Sequence, residues 1–187
     1  MASNNYLQVT TMNNFREVAA GEKSLKRDYV AIMMWFMGRA IQAAATVDKA
    51  VKKEFMDMPD GFTFALCVMP NGPYMIVGKD QRGLVRYRGW DPEGKMIDLQ
   101  MKIKNIEDAM LLFTFQESTA LATARERLIV DGEVAQACAI VRILDIVEVY
   151  LLPKIIARLA VKRYPAWSCG RKYLGRVLIY IRTIFGF

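Results

Sequence analysis

Two hydrophobic periods alternate along this chain, and the switch between them marks out its elements. From Ser24 the apolar positions Tyr29, Ile32, Met33, Phe36, Ala40, Ala43, Val47, Val51 and Phe55 recur at steps of three and four, the spacing of one helix face. Pro59-Asp60-Gly61 ends that segment, and Gly38 is a point where it could kink or divide. The run Ile32 to Met37 is apolar on every side, so it predicts burial in the domain, in an oligomer or against lipid. The period then shortens to two. Phe62, Phe64, Leu66 and Val68 alternate with Thr63, Ala65, Cys67 and Met69, which predicts a strand. Turn signals at 70–73, 80–83 and 90–94 separate two further strands, Tyr74–Val77 and Leu84–Arg88. The clearest alternation follows: Ile97, Leu99, Met101 and Ile103 point one way, and Asp98, Gln100, Lys102 and Lys104 the other. That pattern predicts a sheet with one wet and one covered face, and the short turns predict a four-strand meander.

Helical spacing returns at Asn105, a capping residue, with Glu107 and Asp108 in the first turn and a body from Ile106 to Phe115. A short helix over 118–126, a fifth strand at Arg127–Val130 and an Asp131-Gly132 turn precede an apolar helix over 133–152. Arg142, Asp145 and Glu148 form a thin polar stripe on that last helix, which reads as an intrahelical ion network. Three ionised groups would each cost about 2.5–3.5 kcal/mol on insertion, so a buried helix is favoured over a membrane span. Pro153 suits the start of a further helix, with Ile155, Ile156, Leu159 and Ala160 opposing Lys154, Arg158 and Lys162.

Ile97 to Lys102 running into Asn105 to Met110, and Arg127 to Gly132 running into Glu133 to Ala137, are an alternating strand feeding an acidic-capped helix and a strand with a Gly turn leading into a helix. In these stretches, and in element order over about residues 59–152, the chain resembles the sterol carrier protein type 2 family. The resemblance implies an α+β fold in which sheet and helices enclose an apolar tunnel for fatty acyl chains, sterols or acyl-CoA. The expected fold is therefore α+β: a five-stranded, mostly antiparallel sheet covered on one face by helices, with a tunnel between them. Three regions are expected: an N-terminal helical extension (1–58), a sterol-carrier-like lipid-binding domain (59–164) and a basic aromatic tail (165–187).

Charge sharpens this picture. The chain carries a net +7, and all of it lies in residues 153–187, which hold eight basic residues and no acid, while residues 1–152 sum to −1. Tyr164, Trp167, Tyr173, Tyr180, Phe185 and Phe187 share that tail with the run Val177–Ile181, which is compatible with strand or helix. A basic, aromatic, apolar segment suits an anionic membrane surface, where each basic residue contributes roughly 1 kcal/mol. Arg171, Lys172, Arg176 and Arg182 are the expected docking residues. The same tail could instead bury against a partner or a second copy, giving a homodimer. The apolar Val177–Ile181 run disfavours a nucleic-acid groove.

Chemistry is constrained by what is missing. There is no histidine, so a Ser-His-Asp triad, a Cys-His dyad and a histidine zinc site are excluded. Cys67, Cys138 and Cys169 are scattered and odd in number, which argues against a disulfide framework or a four-thiolate metal site. Cys67 and Cys138 read as small core residues and Cys169 as an exposed bystander. Gly83, Gly89 and Gly94 mark turns and make no phosphate loop. Arg82, Arg86 and Arg88 cluster on the wet strand face, where ordinary solvated pairing outweighs anion binding. The carboxylate pairs Glu107/Asp108, Asp131/Glu133 and Asp145/Glu148 read as helix start, turn and ion network. No catalytic residue, metal or cofactor is expected. The polar N-terminus has no apolar signal segment, which predicts a cytoplasmic protein, peripheral to membranes where the tail engages them.

The predicted function is non-catalytic binding or transfer of an apolar ligand, with an oligomeric interaction subunit as the alternative. Twelve methionines supply adaptable lining for variable apolar shapes. Burying an acyl chain gains about 0.8 kcal/mol per methylene, so sixteen carbons supply on the order of 10 kcal/mol before association costs. Tunnel walls are predicted at Phe64, Leu66, Leu99, Met101, Leu112, Phe113, Phe115, Leu121, Ile140, Leu144, Val147 and Leu151.

Overall fold

A computed structural model describes residues 23–152 and 169–185. The further helix expected after Pro153 lies outside the described residues, as do residues 1–22. The elements run α1 (Ser24–Val47), α2 (Lys49–Met56), β1 (Thr63–Val68), β2 (Tyr74–Lys79), β3 (Val85–Gly89), β4 (Leu99–Ile103), α3 (Ile106–Phe113), α4 (Thr119–Ala124), β5 (Leu128–Asp131), α5 (Val134–Leu151) and α6 (Cys169–Phe185).

The N-terminal helical segment divides at Asp48 and not at Gly38. The Asp48 carboxylate accepts the Ala50 and Val51 N–H groups and so starts α2. Gly38 has a packing role instead. A Cβ there would come within 2.5 Å of the Tyr87 ring and 3.0 Å of Met75, so its absence lets α1 lie close on the sheet.

The five strands form one sheet in the order β3-β2-β1-β4-β5. β1–β2, β2–β3 and β4–β5 are antiparallel, whereas β1–β4 is parallel, with Phe64 opposite Leu99 and Leu66 opposite Met101. The expected meander is therefore broken: β4 crosses past β2 to lie beside β1, and the sheet is mixed. The physical reason is the apolarity of β1, buried at all six positions. Flanking it with β2 and β4 makes it the central strand, while β3, with Arg86 and Arg88 exposed, takes the edge.

Helices cover one face. α1 packs on β2 and β3, α3 and α5 pack on β4, and α6 lies on α1 and α5. Val30, Met34, Met37 and Ile41 of α1 share a single core with Phe64, Leu66, Met75, Met101, Ile140 and Ile179. α1 is thus part of the same core as the sheet. The opposite face carries the polar set. There Arg88 donates to the Thr63 hydroxyl at 3.0 Å and to the Lys79 carbonyl at 3.3 Å, and Lys102 pairs with Asp131 at 2.9 Å. Arg88 is thereby used within the sheet, which breaks up the basic cluster expected on β3. Cys67 is buried as expected, whereas Cys138 is exposed.

Candidate functional site: an apolar cavity between sheet and helices

The register places Leu66 beside Met101 across the parallel pair, and Ile103 beside Leu128 across β4–β5. These four side chains form the floor of a cavity. Met37 of α1 and Leu144 of α5 form its sides, and Leu112, Phe113 and Phe115 close it from above. The remaining wall residues are Glu117, Thr119 and Glu148. The void is about 40 Å³, room for a few water molecules, whereas established ligand pockets run to about 300–1,000 Å³. This is a narrow apolar seam where the sequence predicts an apolar tunnel, and it is smaller than an acyl chain.

The roof is irregular at its centre. Two short helices meet across 114–118, and Phe115 adopts φ 59°, a left-handed conformation unusual for an aromatic residue. α3 starts where the Asn105 side chain accepts the Asp108 N–H at 2.9 Å, as the sequence predicts. It is clasped to α1 by Lys23 and Lys26 on Glu107 and by the Tyr29 hydroxyl on the Phe113 carbonyl at 3.1 Å. Those two lysines hold the Glu107 carboxyl down at about 2. The clasp is solvent-exposed, so each ion pair contributes little.

Two carboxyls face this apolar space. Glu117 is buried but neutralised: Arg125 donates to it at 2.6 Å, and the Arg127 Nε lies 3.3 Å from its second oxygen. Arg127 also reaches Asp108 at 2.7 Å, tying β5 to the start of α3. Glu148 differs in having no ion pair among the described residues. It is only 9 % exposed, and its Oε2, like that of Glu117, has no hydrogen-bond partner among them. Burial, reinforced by Asp145 one turn earlier, raises its pKa to about 8. Burial likewise pushes the Asp145 carboxyl up. The expected intrahelical network is absent because Arg142 turns away to Glu54 of α2, making bonds of 2.9 and 2.7 Å.

Six of the twelve residues expected to line a tunnel lie on this cavity: Leu66, Met101, Leu112, Phe113, Phe115 and Leu144. Phe64, Leu99, Ile140, Val147 and Leu151 are packed in the surrounding core, and Leu121 is 42 % exposed on α4. Sequence reasoning missed Met37, which it assigned to an extension. It also missed Ile103 and Leu128, which are inward by strand parity, and Thr119, which no pattern singles out. Both carboxyl groups were missed too. For Glu148 a signal existed: Arg142 is six residues away, a separation that does not bring side chains together on a helix.

In the tail, Val177–Ile181 is helical. Arg176 does not point to solvent. It donates to the carbonyls of Tyr150, Val149 and Leu152 at 2.8, 3.1 and 2.6 Å, satisfying acceptors at and just beyond the α5 C-terminus. That removes it from the expected docking set. Arg182 is partly exposed, while the side chains of Cys169, Arg171 and Lys172 lie outside the described residues. α6 rests on its neighbours through Gly175, Ile179 and Thr183, and it turns Tyr173, Leu174, Val177, Leu178, Ile184 and Phe185 outward. α1 is long and apolar enough to cross a membrane, but half of its most apolar window is buried within the fold. Among the described residues no group of three metal-ligating side chains converges.

In overall form the chain is similar to sterol carrier domains among solved structures. One is described as "UbiJ-SCP2 Ubiquinone synthesis protein", with 14 % identity and a TM-score of 0.39 over 66 % of this chain and 95 % of that one. Another is sterol carrier protein domain 2 of Helicoverpa armigera, with 16 % identity and a TM-score of 0.37 over 64 % and 85 %. A third is Sterol Carrier Protein 2 Like 2 from Aedes aegypti, with 12 % identity and a TM-score of 0.31 over 54 % and 94 %. No family model matches the sequence, and no curated protein sequence matches it.

Proposed function

We propose that this protein binds an apolar ligand, a fatty acyl chain, sterol or phospholipid tail, between its sheet and the α3–α4 roof, and that it does so without catalysis. The observation that supports this reading is the apolar seam itself, floored by strands, roofed by a short-helix pair and lined by Met37, Met101 and Phe115. Ligand entry requires the roof to lift, because the void is far smaller than an acyl chain. Flexible thioethers and a pair of short helices joined by an irregular segment suit such opening. Each methylene that replaces water contacts with wall contacts contributes about 0.8 kcal/mol, so a long chain can drive the opening.

The test is native mass spectrometry of the purified protein, followed by denaturing extraction and lipid analysis. Co-purified lipid, or uptake of a fluorescent fatty-acid or hydrocarbon probe, is expected. Leu112→Arg and Leu144→Arg each place a charge in the seam and are expected to abolish uptake in folded protein. Undiminished uptake in both would refute this placement.

In this reading the protein is cytoplasmic and meets membranes reversibly, with Arg171, Lys172 and Arg182 facing anionic headgroups. The outward apolar face of α6 also favours a second reading, a homodimer or partner interface. Salt-sensitive binding to anionic vesicles that is lost on removing residues 169–187 supports the membrane. A stable dimer lost on the same truncation supports the interface.

A further inference from the structure

We propose that the cavity takes a ligand whose polar end is an uncharged hydrogen-bonding group, a hydroxyl or a carbonyl, and that the Glu148 carboxyl receives it. The inference rests on the ligand-binding reading above and adds the chemistry of the ligand's head. Glu148 lines the cavity, is nine-tenths buried, and leaves Oε2 without a hydrogen-bond partner among the described residues; the other lining carboxyl, Glu117, already has Arg125 and Arg127 beside it. A buried polar atom without a partner is costly, and a ligand group that supplies one recovers that cost.

The charged groups around it decide the sign of the head. None of the described residues lining the cavity is Lys or Arg. On α5 itself, Arg142 is committed to Glu54 of α2, and Asp145 adds only negative charge. On the roof side, Arg125 and Arg127 are committed to Glu117 and Asp108. From α6, Arg176 is held on the carbonyls that end α5. On β4, Lys102 is on the polar sheet face with Asp131. The inward residues of α1 near the cavity, Met34 and Met37, are apolar. Among the described residues, an anionic head would therefore be buried beside carboxyls with no uncommitted cation to pair it. At neutral pH the Glu148 carboxyl is chiefly protonated, since burial holds its pKa at about 8. In that form it donates its O–H to a carbonyl and accepts from a hydroxyl through its own C=O.

The test is competition against a pyrene-labelled alkane on the full chain near neutral pH, with chain-matched dodecane, dodecan-1-ol, tridecan-2-one, dodecanoate and dodecylamine. The alcohol and the ketone are expected to bind about 2- to 10-fold tighter than the alkane, the gain of one neutral hydrogen bond. Dodecanoate is expected to bind more weakly than the alcohol. Glu148→Leu should collapse the alcohol-to-alkane ratio toward one, while Glu148→Gln, neutral and still hydrogen-bonding, should retain a ratio above one. Circular dichroism establishes that each variant is folded. Equal affinity for alkane and alcohol overturns the assignment while leaving ligand binding intact. So does an unchanged ratio in Glu148→Leu, or tighter binding of dodecanoate or dodecylamine than of the alcohol. If no probe binds, the alkane included, the cavity reading itself fails and takes this inference with it.

Discussion

Replacing Glu148 with Gln removes one titration while keeping the side chain's size, and its consequence for stability can be worked out. The folded-state pKa is about 8, against an ordinary value of 4.5. Below the ordinary value both folded and unfolded chains are protonated, and the group makes no difference to the balance. Between the two values the native state holds a proton that the unfolded chain has released, so stability falls as pH rises; above about 8 the loss levels off. From about pH 5.5 to about pH 8.5 the integrated loss from this one group is ~3 kcal/mol. Urea denaturation of wild type and Glu148→Gln across that range measures it directly. The variant should show a shallower decline and should be the more stable protein at the alkaline end. Asp145, whose burial-raised pKa acts in the same direction, is present in both proteins, so the variant keeps a residual decline of its own. Parallel pH profiles for the two would refute the argument, because they would mean that Glu148 ionises in the fold as it does in the open chain.

The remaining predictions concern how the layers are held. Gly38→Ala sets a Cβ against the Tyr87 ring; the overpacking cost of about 1–3 kcal/mol should exceed the helix-propensity gain and lower Tm. Arg176→Met leaves three carbonyl acceptors at the end of α5 without their charged donor. A loss of about 1.5–3 kcal/mol is expected, and hydrogen exchange should quicken at the α5 C-terminus and along α6. Asp48→Ala removes the α2 cap together with the acceptor of the Tyr150 hydroxyl at 2.5 Å, so denaturant titration should show a loss above the 0.5–2 kcal/mol typical of a cap alone. Glu117→Leu leaves Arg125 and Arg127 without their buried carboxylate, and protease should then cut the 114–126 segment faster than in wild type.

Much of the architecture was legible because it is written in local periods. The alternation from Ile97 to Lys104 specified which residues of β4 face inward, and Leu99, Met101 and Ile103 are buried while Lys102 and Lys104 are not. Asn105 and the acids after it marked the start of α3. The stepped apolar positions from Tyr29 to Phe55 specified helix, and the apolarity of 133–152 specified a buried helix, because burial requires an apolar stripe at the helical period. What local patterns cannot carry is the choice among partners of equal propensity. β4 could pair with β3 or β1, and the fully buried β1 decided it in tertiary context. Arg142 could pair along its own helix or with Glu54, and the packing of α2 against α5 decided that. Arg176 looked like surface charge until α6 brought it against the end of α5. The cavity follows the same rule. Its floor comes from strand parity, but Met37 and Glu148 reach it only because α1 and α5 cross the sheet side by side, a long-range arrangement set by core packing and not by any neighbour in the chain.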